Sequence, residues 1–170
     1  MTEKEYNDYF DACTDAAWEE FAHIVFKHME NDPDFPDEIT LDTRLKPNSR
    51  MVREIESHFQ YYYSDSSHAK TVGQLFMPVY EQLEKRIPWW ICIADFANEA
   101  GHMDEPYSNY LPWKLPFDEL DLVMILTDFE AEYDLDIEMP DVDDEEDYFR
   151  HHGEWLDLLG RYIETLGEDD

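Results

Sequence analysis

Asp118-Glu119-Leu120-Asp121-Leu122-Val123-Met124-Ile125-Leu126-Thr127-Asp128-Phe129-Glu130-Ala131-Glu132-Tyr133 is the stretch that decides the fold class. Leu122, Leu126, Phe129 and Tyr133 recur three and four residues apart, which places them on one face of a helix over residues 119–133. Asp118 stands where an N-cap belongs, its carboxylate able to accept from the amides that the first turn leaves unpaired.

The same period recurs outward from this segment. Residues 15–29 set Trp18, Phe21, Ala22, Val25, Phe26 and Met29 in one stripe, with Thr14 or Asp15 as cap and Glu19 and Glu20 near the positive end of the dipole. Residues 51–63 repeat Val52, Ile55, Phe59 and Tyr63, and residues 72–86 bring Leu75, Val79 and Leu83 into register around a kink at Pro78. Past Pro88, residues 89–100 read as a buried helix ended near Gly101, and residues 153–166 close the chain around Trp155, Leu158, Leu159, Tyr162 and Ile163. Between them, residues 103–116 carry Pro106, Pro112 and Pro116 among aromatics and read as a loop packed on the surface. Residues 39–45 alternate weakly, an extended piece with no second strand to pair. The expected class is all-α, a helical bundle.

Composition narrows what such a bundle does. Of 170 residues, 43 are Asp or Glu and 12 are Lys or Arg, a net charge of -31, yet 43% of the chain is apolar and 15% aromatic. A disordered acidic tail lacks that apolar content. The expectation is a folded domain whose acidic exterior costs self-repulsion and faces a strongly basic partner or a crowd of like-charged surfaces. Direct binding to nucleic acid or to an anionic membrane is electrostatically disfavoured. The most apolar patch, residues 87–97, is interrupted by Pro88 and Asp95 and is too short for a membrane span. The N-terminus has no basic region followed by an apolar run, so no secretory signal is expected. Cys13 and Cys92 sit far apart in apolar surroundings, which predicts buried thiols in a reducing, cytoplasmic compartment. Residues 1–86 hold 18 acidic and nine basic side chains, residues 87–170 hold 25 and three, so the second half carries most of the acidity.

The segment from Asp118-Glu119-Leu120-Asp121 through Glu130-Ala131-Glu132-Tyr133-Asp134-Leu135-Asp136-Ile137, followed by Pro140-Asp141, resembles the second helix of acyl carrier proteins and the turn after it. Residues 153–163 resemble that family's closing helix. Residues 39–45 and 71–75 form a fainter copy in the first half. The resemblance implies tandem carrier-like four-helix units, 1–86 and 87–170, or one domain with a long insertion over residues 46–116. In the family a serine of Asp-Ser-Leu takes phosphopantetheine. Here Glu119 replaces it, and a carboxylate cannot take that phosphodiester, so the second unit is expected to be inert as a carrier. Ser49, within Asn48-Ser49-Arg50-Met51, is the analogous attachment residue in the first unit. A polar residue that starts a helix is the ordinary reading of it.

Other chemistry is thin. Residues 134–145 put carboxylates at first, third, fifth and twelfth positions of a calcium-loop register, but the sixth, which needs glycine, is Met139 followed by Pro140. His151 and His152 are adjacent and diverge on a regular element, and His23 and His28 lie in another segment, so no metal site is expected. No phosphate loop, nucleophile elbow or HExxH is present, and no enzyme activity or cofactor is expected. The reading is a non-catalytic acidic protein that blocks a basic site on a partner. The partner would be a nucleic-acid-binding enzyme, blocked by a DNA mimic of the anti-restriction or anti-CRISPR kind, or a nuclease toxin, neutralised by an immunity protein. The expected contact residues are Asp118, Glu119, Asp121, Asp128, Glu132, Asp141, Asp143, Asp144 and Glu145, with Tyr107, Tyr110 and Trp113 as exposed aromatic anchors. The alternative is a carrier-like protein, active through Ser49 or degenerate, that docks on an acyl-transfer enzyme.

Overall fold

The computed structural model describes residues 2–61, 63, 66, 68–137 and 152–168, without the side chains at 119, 152–154, 167 and 168. The chain is all-α. Among the described residues its helices are α1 (Glu3–Met29), α2 (Ser49–Phe59), α3 (Val72–Glu99), α4 (Glu119–Tyr133) and α5 (His152–Glu168), with a short 3-10 turn at Tyr107–Asn109. Among the described residues there is no strand, only isolated antiparallel bridges, Arg44 with Thr71 and Leu111 with Lys114. The chain divides into two compact units, Met1–Glu84 and Lys85–Asp170, and the division falls within α3.

In the first unit α1 begins well before the expected cap. Thr2 caps it, the hydroxyl accepting from Glu5 N while the Glu5 carboxylate accepts from Thr2 N, both at 3.1 Å. Thr14 is interior, its hydroxyl donating to Asp11 O. The apolar face therefore starts at Tyr9 and Cys13 and continues through Ala17, Phe21, Ile24 and Val25, all buried. Trp18 and Phe21 meet Phe76 of α3 at centroid distances of 5.2 and 5.0 Å. Asn48, one residue before Ser49, caps α2 by accepting from Met51 N at 2.9 Å. Instead of reaching Tyr63, α2 ends at Phe59, because Gln60 adopts a left-handed conformation (φ 58°). Tyr63 folds back and its hydroxyl donates to Leu75 O at 2.5 Å.

The sequence suggested two helices with a break before Trp89, yet α3 runs through both Pro78 and Pro88. Each proline removes one helical hydrogen bond and crowds the carbonyl four residues before it, at a cost of about 3 kcal/mol. Around Pro78 the helix buries Leu75, Phe76, Val79 and Leu83 in the first unit, and around Pro88 it buries Ile87, Trp90, Ile91, Ile93, Ala94 and Ala97 in the second. At about 1.5–3 kcal/mol for each large apolar side chain removed from water, that burial outweighs the two breaks.

The second unit is built around two tryptophans. Phe117 stacks edge-on between Trp90 and Trp155, each at 6.0 Å. The Trp155 indole donates to Leu122 O at 3.1 Å, and that of Trp90 to Tyr107 O at 3.3 Å. Arg86, 3% exposed, is held by Asp157 of α5 through two parallel bonds of 2.9 Å. Gly160 of α5 lies flat on the Trp89 ring, where a Cβ would stand 2.2 Å from a ring carbon.

Candidate interaction face on α4

Asp118 caps α4 as expected. Asp118 Oδ1 accepts from Asp121 N at 2.8 Å, and Asp121 Oδ2 accepts from Asp118 N at 3.1 Å. These two contact candidates thus also fix the helix start, and their charge lies at the positive end of the dipole. At the other end Asp134 is left-handed (φ 52°), its N–H bonded to Glu130 O.

At about 100° per residue, α4 has three faces rather than two. Leu122, Ile125, Leu126 and Phe129 point into the unit and are buried. Opposite them Leu120, Val123 and Met124, 66, 41 and 45% exposed, continue through Thr127 and Ala131 as one outward stripe. Asp121, Asp128 and Glu132, spaced seven and four residues apart, line up along one side of that stripe. Six large apolar side chains are exposed among the described residues, and four are on α4, Tyr133 being the fourth. The periodicity Leu122, Leu126, Phe129 and Tyr133 marks only the inward face, and Tyr133 lies on it as expected, its ring against Phe129 and Phe96 at 4.7 and 6.4 Å, though 43% exposed at the helix end. The outward residues sit at i, i+3, i+4, i+7 and i+11, a pattern as legible as the inward one.

Asp128 is not a free carboxylate: its Oδ2 lies 2.6 Å from His102 Nε2, which ties α4 to the start of the 102–117 loop. Glu132 is exposed. Tyr107 and Tyr110 are half-buried, and the Tyr110 hydroxyl donates to Glu105 at 2.5 Å, which draws Glu105 below the usual carboxylate range and raises the phenol. Trp113 corrects the expectation of an exposed anchor. It is 3% exposed and belongs to the core, because the Leu111–Lys114 turn folds the proline-rich loop inward along with Pro112 and Leu115. Asp141, Asp143, Asp144 and Glu145 lie outside the described residues, as does the side chain of Glu119.

Ser49 is the first residue of α2 and is exposed. Cys13 is buried and Cys92 half-buried, and burial raises both thiols, that of Cys13 to about 11. The remaining titratable cluster lies between α1 and α2, around a cavity of about 350 Å³. There His58 Nε2 is 2.9 Å from Glu20, and Lys27 Nζ donates to Glu54 at 2.7 Å. The Lys27 contact holds the Glu54 carboxyl below its ordinary value. No group of three metal-ligating side chains that could hold an ion occurs among the described residues, and no described helix is long and apolar enough to cross a membrane. Comparison with protein-family models, curated proteins and solved structures gave no match to this chain.

Proposed function

We propose that this protein is a non-catalytic binding protein that occupies a basic site on another protein through the outward face of α4. The observation that carries the reading is the exposed stripe Leu120, Val123 and Met124 beside Asp121, Asp128 and Glu132. Apolar groups left in water on an otherwise well-buried fold cost free energy unless a partner covers them. A row of carboxylates beside such a stripe steers a basic surface onto it and fixes register, while the stripe supplies affinity. With a net charge of -31, the partner's lysines and arginines are those that otherwise contact phosphate. The setting is thus a DNA mimic of the anti-restriction or anti-CRISPR kind, or an immunity protein against a nuclease toxin. The test is capture of partners from host lysate at low and then high salt, with a Leu120→Asp/Met124→Asp variant alongside. The reading expects a basic nuclease or DNA-binding protein, released by salt and absent from the variant's eluate. Recovery of an acyl-transfer enzyme instead contradicts it.

One observation favours the carrier reading: Ser49 is solvent-exposed at the first position of a helix, where a modifying enzyme can reach it. Incubation with a broad-specificity phosphopantetheinyl transferase decides this. A mass increase lost in Ser49→Ala establishes a carrier, and an unchanged mass removes the active form and leaves only a degenerate one.

A further inference from the structure

Charge within the first unit is segregated. Residues 44–53, Arg44-Leu45-Lys46-Pro47-Asn48-Ser49-Arg50-Met51-Val52-Arg53, hold four cations and no carboxylate in a chain of net charge -31. Arg44 and Lys46 meet Lys70 around an open groove of about 1100 Å³, with Phe35 and Pro36 giving it an apolar wall. Asp32 and Asp34 also line it, Asp32 accepting from Asp34 N at 3.0 Å within its own turn. Among the described residues the side chains of Arg44, Lys46 and Lys70 form no ion pair, although carboxylates outnumber cations more than threefold along the chain.

The backbone beside these cations is also unspent. Residues 43–45 pair with 70–72 through Leu45 N to Lys70 O and Val72 N to Thr43 O, both 2.9 Å, so Arg44 and Thr71 face each other as a non-hydrogen-bonded pair. In such a pair each residue's own N–H and C=O point away from the partner segment. Thr71 O is taken by Leu75 N, whereas Arg44 and Lys46 have no backbone partner among the described residues, and Pro47 ends the edge. Arg44 and Lys46, two apart on extended chain, project to the same side.

We propose that this edge and groove bind an extended acidic peptide segment, which adds a short strand along residues 44–46 and sets its carboxylates against Arg44 and Lys46, with Lys70 adding positive charge to the groove. Strand addition gives main-chain hydrogen bonds, and alternate side chains of the added segment then fall opposite the cations. The groove is large for a compact ligand, and a small anion leaves the strand edge uncovered. A basic segment meets three cations that form no ion pair among the described residues. The site lies in the first unit and does not depend on the role given to α4.

The test is a titration of the full-length ¹⁵N-labelled chain with the capped peptide Ac-Asp-Val-Asp-Val-Asp-Val-NH2 at low ionic strength, read by amide chemical shifts. Saturable shifts confined to residues 29–36, 43–46 and 69–74 are expected. Arg44→Glu/Lys46→Glu/Lys70→Glu weakens binding by about tenfold or more. The milder Arg44→Gln/Lys46→Gln/Lys70→Gln weakens it less and guards against loss of fold, which the remaining spectrum reports. Absent or scattered shifts overturn the proposal, as does affinity unchanged in both triple variants. Inorganic phosphate that reproduces the same shifts at residues 44–46 also overturns it, because strand recognition is then not involved.

Discussion

Arg86 shows how a chain so rich in carboxylates uses one of its few cations. The guanidinium is almost wholly buried and Asp157 meets it in a bidentate geometry, so the pair is costly to break singly even where its net stabilisation is small. Asp157→Ala removes the bidentate partner of a buried charge and is expected to cost about 3 kcal/mol, whereas Arg86→Met costs far less; urea midpoints of the two variants check the order. Gly160 is a steric requirement: Gly160→Ala drives a Cβ into the Trp89 ring, and a loss of about 1–3 kcal/mol is expected in the same assay. Gly73 is similar, with its missing Cβ 2.8 Å from Leu41 O. The buried Cys13 thiol and the half-buried Tyr63 phenol both bear on stability at alkaline pH. Burial pushes the Cys13 thiol to about 11 and the Tyr63 phenol higher still, with Tyr61 and Glu56 adding to the latter. Both groups are neutral when protonated, and the folded chain holds their protons more tightly than the unfolded one. Their contribution is therefore fully present below the unfolded values, about 8.5 for the thiol and 10 for the phenol, and is lost as pH rises through and beyond 11. Unfolding midpoints across pH 7 to 12 are expected to fall only on the alkaline side for these groups, and Tyr63→Phe to flatten part of that fall.

At the scale of the element, the proposed function makes α4 a helix that separates stability from recognition by face. Phe129→Ala or Leu122→Ala opens a cavity and is expected to cost about 2–5 kcal/mol. Leu120→Asp with Met124→Asp is expected to leave the melting curve within about 0.5 kcal/mol of the parent, and a large destabilisation by that pair would place the stripe in the core. The inward face and cap of α4 were legible because periodicity and capping are local. The start of α1 was missed although Tyr6, Tyr9, Phe10 and Cys13 extend its stripe, since the acidic residues among them look like a frayed end. The unity of α3 was not legible: proline is a local breaker, and the burial that overrides it comes from residues distant in sequence. Trp113 fails for the same reason, since a loop rich in proline gives no periodic sign of which ring turns inward. The cations around the 1100 Å³ groove are only half legible, because the run from Arg44 to Arg53 is visible in sequence while its approach to Lys70 depends on the Arg44–Thr71 bridge.

For the whole molecule the governing quantity is charge. Two units share a net charge of -31, the second half holding 25 acidic and three basic side chains, and the fold tolerates the repulsion because its apolar core is extensive. Such a surface acts over roughly a Debye length, about 10 Å at 0.1 M salt, so its contribution to binding is the part that salt removes. The apolar stripe on α4 is insensitive to salt, and the two contributions are therefore separable in one assay. The deciding measurement is the affinity of the protein for its captured and purified partner at low and high salt, set against Leu120→Asp/Met124→Asp. The account predicts affinity that falls steeply with salt for the parent chain and a further loss in the variant at both salt concentrations. Affinity indifferent to salt and to the α4 substitutions would contradict it.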